Sequence, residues 1–182
     1  MKFEKIDKKY LSERKKLSQK YVKENLWEII DHWPLYVGNS NLQRFLTIYE
    51  LLKTTLDIPG HIAEFGSWRG ANTMFMAKVL NMLDPYSNKL VYAFDSFEGL
   101  TEFDRKDDHA TSHEGSYKGN ILELIDFMKL NNLEDNIVIQ KGYIEKTLPV
   151  LLDADKALSF SMVYCDTDLY ASTKVVLDYL HP

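Results

Sequence analysis

The segment His61-Ile-Ala-Glu-Phe-Gly-Ser-Trp-Arg-Gly70 constrains the fold more than any other, because a short apolar strand runs into a glycine-bracketed turn and directly on into a helix. Glycine at both ends of the turn lets the backbone double back and approach a ligand closely. The helix that begins at Ala71 opens its free N–H groups toward the same crevice. A second apolar strand, Leu90 to Phe94, ends in Asp95, 25 residues beyond Gly70. Strand, turn, helix and strand in this order outline the first half of an open, doubly wound α/β sheet, whose ligands sit outside the carboxyl ends of the strands.

The alternation continues downstream. Strands are expected near 61–65, 90–95, 137–141 and 160–165, and helices near 70–83, 119–132 and 171–180, with a loop between the last two strands. Ile137-Val-Ile and Phe160-Ser-Met-Val-Tyr-Cys165 are nearly continuous apolar runs, as buried parallel strands require. Residues 96–118 are long for a connection and carry Asp104, Asp107, Asp108, His109, His113 and Glu114, a composition suited to a mobile lid over the strand ends. Ahead of the sheet, Leu42, Phe45, Leu46, Tyr49 and Leu52 recur at helical spacing behind a cap at Asn39 or Ser40, and Pro59-Gly60 closes that helix. A basic amphipathic helix precedes it, running to about Trp33. The expected organisation is an N-terminal helical cap over 1–58 and a Rossmann-like core over 59–182. Because the sequence stops at His181-Pro182, after a helix that should deliver another strand, the core is expected to be C-terminally incomplete. An uncovered sheet edge of this kind invites a homo-oligomer.

Composition removes several function classes. With 182 residues, 45% hydrophobic and 27% charged, the chain is an ordinary folded domain. It has no run of the ~18 apolar residues that span a bilayer, and no apolar secretory leader. The cytoplasm is the expected compartment, with no membrane partner. Residues 1–23 hold nine Lys or Arg against three Asp or Glu, and the remainder thirteen against twenty-four. A net charge of −5 argues against nucleic acid as a partner. The single cysteine, Cys165, forms no internal disulfide and is expected in the core.

The strand exits are acidic. Glu64 lies at the first, Asp95 at the second, and Asp166 with Asp168 at the fourth. Such a crevice repels a pyrophosphate but suits a cofactor bearing a cationic sulfonium and an ammonium group. The turn reads Glu-x-Gly-x-x-x-Gly and lacks the Gly-x-Gly-x-x-Gly dinucleotide fingerprint, which disfavours a nicotinamide-dependent oxidoreductase, and no Gly-Lys-Ser/Thr follows it. Asp95 is placed to hold ribose hydroxyls of a nucleoside-like cofactor. On spacing alone, the glycines could equally cap a tight turn, and Asp166 and Asp168 could cap the last helix.

Four ordered motifs carry a resemblance: Glu64-Phe-Gly-Ser-Trp-Arg-Gly70, Phe94-Asp-Ser-Phe-Glu-Gly-Leu100, Lys141-Gly-Tyr-Ile-Glu-Lys-Thr-Leu-Pro149 and Asp166-Thr-Asp-Leu-Tyr-Ala-Ser-Thr173. Together they resemble the macrocin O-methyltransferase family over about residues 40 to 182. The resemblance implies a class I methyltransferase fold and transfer of a methyl group from S-adenosylmethionine to a hydroxyl of a small molecule, typically a sugar on a natural product. It further implies that Glu64, Gly66, Ser67, Trp68, Arg69 and Gly70 surround the methionine part, that Asp95 and Ser96 contact the ribose, and that Gly142 and Tyr143 lie near the adenine. Magnesium is implied as well, held partly by an aspartate of the fourth-strand motif that also serves as general base. That aspartate corresponds to Asp166, with Asp168 a close second, and both are candidate ligands. A metal on the acceptor oxygen favours the alkoxide. In the family a further strand supplies an acidic pair that completes the metal site. The alternative expectation is therefore a catalytically incomplete S-adenosylmethionine-binding or interaction module.

Overall fold

The computed structural model describes residues 30–101, 103–107 and 112–181. The expected basic helix before residue 30 lies outside the described residues, as do Asp108 and His109. The chain divides into two compact units, Met1–Ile48 and Tyr49–Pro182. In the first, a 3-10 turn at Trp33–Leu35 leads into helix α1, Asn39–Thr55, which crosses the division.

The second unit carries a four-stranded sheet built from β1 (His61–Phe65), β2 (Val91–Asp95), β3 (Ile137–Lys141) and β4 (Phe160–Cys165). All pairings are parallel, in the order β3-β2-β1-β4. Helices α2 (Ala71–Leu83), α3 (Ile121–Leu130) and α4 (Ile144–Ala154) make the crossovers that parallel strands need, and α5 (Tyr170–Leu180) follows β4. The order reverses between β1 and β4, so a crevice opens there at the carboxyl ends of the strands. Among the described residues no helix is long and apolar enough to cross a membrane.

Side chains of a strand alternate between faces, and β1 uses both. Ala63 and Phe65 join Phe94, Ile144, Leu148 and Val176 in one buried cluster beneath α4 and α5. Phe65 and Phe94 are register partners whose rings stack with centroids 4.4 Å apart. Ile62 and Glu64 therefore point to the opposite face, where Thr73 of α2 donates a hydrogen bond to Glu64. β1 is an inner strand, buried on both faces, which explains its unbroken apolar reading around one acidic residue.

Two sequence expectations need correction. The loop foreseen between β3 and β4 is mostly helix α4, with Pro149 inside it. Proline removes one helical hydrogen bond, but Ile144, Leu148, Leu151 and Leu152 pack onto the core, and that burial outweighs the break. Cys165 is exposed, not in the core, because among the described residues β4 stands at the edge of the sheet.

Candidate functional site

The strand exits are stitched to one another by backbone hydrogen bonds. Gly66 N–H donates to Phe94 O at 2.9 Å, Gly142 N–H to Asp95 O at 2.9 Å, and Asp166 N–H to Phe65 O at 2.9 Å. These bonds extend the parallel ladders past the strands and fix where each loop leaves the sheet. Gly66 has φ +87°, and a Cβ built there would lie 2.1 Å from the Asp166 carbonyl oxygen. Only glycine lets the β1 and β4 exits approach this closely. Gly70, at φ 77°, is the residue from which α2 starts.

Asp95 ties the first two exits together. Its Oδ2 accepts the Trp68 N–H at 2.7 Å and its Oδ1 accepts the Phe97 N–H at 2.6 Å. Both donors belong to non-glycine residues in the left-handed region, Trp68 at φ 49° and Phe97 at φ 60°. Such conformations persist only where the surroundings enforce them, and the two charge-assisted bonds from Asp95 do so. Burial raises the Asp95 pKa, while the same two N–H groups oppose the rise. Each oxygen keeps a further lone pair for a ligand hydroxyl.

Glu64 is 1% exposed. Burial lifts its pKa from the ordinary 4.5 to about 7, with Thr73, Asn72 and Ser67 opposing the rise and the Asp166 charge adding to it. Glu64 Oε1, Ser67 Oγ and Asn72 Oδ1 are all buried without a well-formed hydrogen bond. Three orphaned polar atoms where β1 meets α2 are costly unless a ligand satisfies them.

The β4 exit carries Asp166 and Asp168, both exposed to solvent. Asp168 has φ 60° and sits at the centre of a three-residue turn closed by Leu169 N–H donating to Thr167 O at 2.7 Å. Partial burial raises the Asp168 pKa, and the neighbouring Asp166 charge raises it further. Trp68, Phe97 and Asp168 thus place backbone strain at three exits of one crevice. Among the described residues no group of three His, Cys, Asp or Glu side chains converges as a metal site.

Other expected residues are engaged locally. Arg69 is paired with Glu123 of α3, its Nε donating to Oε2 at 3.1 Å. Ser96 Oγ accepts the Glu98 N–H at 3.1 Å, closing the turn after β2. Tyr143 leaves β3 beside Gly142 and donates its phenolic O–H to Glu98 Oε2 at 3.1 Å, bridging the β2 and β3 exits. The sequence reading assigned no role to Glu98, Asn72 or Thr73, although Glu98 falls inside the Phe94-to-Leu100 motif.

The loop 96–118, expected as a mobile lid, is anchored in its described part. Leu100 N–H donates to Ser116 O and Gly115 N–H to Leu100 O, both at 2.8 Å, forming a neck. Asp107 is buried and accepts the Tyr170 N–H at 2.6 Å.

Several known proteins share this architecture. The calicheamicin methyltransferase CalS11 superposes with a TM-score of 0.84 at 22% identity, covering 94% of this chain and 72% of that one. The apo structure of CalS11, described as a TDP-rhamnose 3'-O-methyltransferase, gives 0.71 at the same identity and coverage. The O-methyltransferase NovP gives 0.61 at 22% identity, covering 76% of this chain and 59% of that one. At this identity the likenesses establish the fold, a Rossmann-like methyltransferase sheet with flanking helices. A Streptomyces olivaceus protein, 8-demethyl-8-(2,3-dimethoxy-alpha-L-rhamnosyl)-tetracenomycin-C 4'-O-methyltransferase, is 30% identical over a 161-residue alignment that covers 82% of this chain and 59% of the relative. The chain therefore spans less than two thirds of that relative's length. Residues 5–182 match the macrocin-O-methyltransferase (TylF) family, and the chain belongs to that family.

Proposed function

We propose that the protein binds S-adenosylmethionine in the acidic crevice at the carboxyl ends of β1, β2 and β4 and transfers its methyl group to a hydroxyl of a sugar or glycosylated small molecule. The observation that carries this reading is the buried, under-satisfied cluster of Glu64, Ser67 and Asn72 beside Asp95. A cationic ligand fits there and a pyrophosphate does not. The rhamnose-directed activities in the names of the tetracenomycin relative and of CalS11 support a sugar hydroxyl as acceptor.

When bound, the cofactor supplies an electrophilic methyl group on a sulfonium, open to in-line attack by oxygen. Glu64 ionises as a positive ligand group arrives, which relieves its raised pKa and gives its free oxygen a partner. Asp95 orients ribose hydroxyls with the lone pairs that Trp68 and Phe97 leave open. Tyr143 and Glu98 form the wall where an adenine would lie. Trp68, at the turn, and Tyr117 meet edge to face with centroids 5.6 Å apart beside it.

Acceptor activation falls to the β4 exit. A sugar hydroxyl needs a proton acceptor at the moment of attack, and a carboxyl whose pKa is raised serves better than an ordinary one. We assign the base to Asp168, which the strained turn at φ 60° holds at the β4 exit, with Asp166 beside it, whereas the sequence motif put Asp166 first and Asp168 second. Asp166 and Asp168 are oxygen donors of the kind that magnesium, which keeps several of its waters, would take, and among the described residues no third carboxylate joins them. No step is routed through a metal. A second reading is a module that binds S-adenosylmethionine without turnover.

The test is transfer of labelled methyl from S-adenosylmethionine to a panel of nucleotide sugars and rhamnosylated compounds. Asp168→Asn is expected to lower turnover by about 100-fold or more while leaving cofactor affinity unchanged. Equal turnover in both proteins would refute the assignment. Saturable cofactor binding with no transfer by the wild-type protein would favour the second reading.

A further inference from the structure

We propose that Asp107, in the loop joining β2 to α3, is a positioning residue that sets the Asp166–Asp168 turn, so that this loop and the proton-accepting carboxylates form one structural unit. This rests on the β4 exit being the site of transfer.

The first N–H groups of a helix need partners from outside it. In α5 the residue before the helix, Leu169, supplies no side-chain cap. Asp107 supplies one from 63 residues earlier in the chain, its Oδ1 accepting the Tyr170 N–H at 2.6 Å. The other oxygen, Oδ2, accepts the Asp104 N–H at 2.5 Å, and the Asp107 N–H returns to Asp104 O at 3.0 Å. A negative group at the start of α5 is also favoured by the helix dipole. The next residue back makes a second attachment to the same point, with Lys106 Nζ lying 3.8 Å from the centroid of the Tyr170 ring.

Tyr170 is two residues after Asp168. The strained turn at Asp168 is therefore held at both ends. On one side Thr167 is buried, its hydroxyl 2.6 Å from that of Thr173. On the other stands Asp107. Without the Asp107 carboxylate the Tyr170 N–H loses its side-chain partner, and on that side only the Lys106 contact with the Tyr170 ring is left to oppose relaxation of Asp168 from φ 60° toward an ordinary conformation. Such a relaxation swings the carboxylate away from the acceptor oxygen, and small misplacements of a reacting group cost about 100-fold in rate.

The experiment compares wild-type protein with Asp107→Ala and Asp107→Asn. In Asp107→Ala, turnover is expected to fall by about 30- to 100-fold, with cofactor affinity and acceptor KM within about threefold of wild type. Asp107→Asn keeps an oxygen for Tyr170 and should recover most of the loss. Amide hydrogen exchange reads the same contact without substrate: in Asp107→Ala, exchange at residues 169–172 should accelerate about tenfold or more while β1 and α2 are unchanged. Unchanged exchange at Tyr170, turnover within about twofold of wild type, or a parallel loss of cofactor binding and turnover would each overturn the proposal. Failure of the wild-type protein to transfer methyl counts against the proposed function instead, and the exchange comparison then decides whether Asp107 holds the turn.

Discussion

Replacing Glu64 by glutamine isolates one buried charge. In the ligand-free protein the Glu64 carboxyl is displaced from 4.5 to about 7, chiefly by burial. Between those values the folded chain retains a proton that the unfolded chain has released. Stability that is fully present below pH 4.5 is therefore lost as pH rises, and the loss is complete above about pH 7. A displacement of this size corresponds to about 3 kcal/mol. Glutamine has the shape of the protonated side chain, can accept from Thr73, and turns an N–H toward the unpartnered Ser67 and Asn72 oxygens. Urea denaturation at pH 5 and pH 8, followed by tryptophan fluorescence, should show the two proteins nearly equal at the lower pH. At the higher pH the variant should be the more stable by about 3 kcal/mol. Cofactor binding should move the other way: at pH 8 the variant lacks the carboxylate partner of a cationic group and should bind about 10- to 100-fold more weakly. Parallel stability profiles across this range would refute the argument, as would a variant less stable at both pH values.

Two further substitutions test the turn. Gly66→Ala places a Cβ against the Asp166 carbonyl at a positive φ, and denaturation should show a loss of at least about 2 kcal/mol; a loss below about 1 kcal/mol would contradict the close approach of the β1 and β4 exits. Arg69→Ala removes only a solvent-exposed pair with Glu123, so cofactor affinity measured by calorimetry should barely change, and a loss of about tenfold or more would mean that the guanidinium meets the cofactor.

The sheet was legible from sequence because buried parallel strands leave an apolar signature that periodicity can find. The β1, β3 and β4 ranges agree with their expected bounds, and β2 begins one residue later than expected. Helix α4 was expected as a loop; it carries Pro149 inside it, and the burial that outweighs the lost hydrogen bond is contributed by residues distant in sequence. Cys165 was misplaced for a related reason, since an apolar run does not say whether its strand is central or at an edge. In the crevice, the glycine spacing and the acidic strand ends could be read directly. The partners could not: Asp95 clamping Trp68 and Phe97, Arg69 turned to Glu123, and Asp107 reaching Tyr170 are contacts made by folding, with no fixed spacing along the chain.

Calorimetric titration of the wild-type protein with S-adenosylmethionine, set against NADH under the same conditions, tests the central claim that the acidic crevice is a site for a cationic methyl donor. The account predicts saturable, single-site binding of S-adenosylmethionine below about 1 mM, without any requirement for magnesium, and none of NADH. No heat with S-adenosylmethionine at millimolar concentration, or equal binding of both ligands, would contradict it.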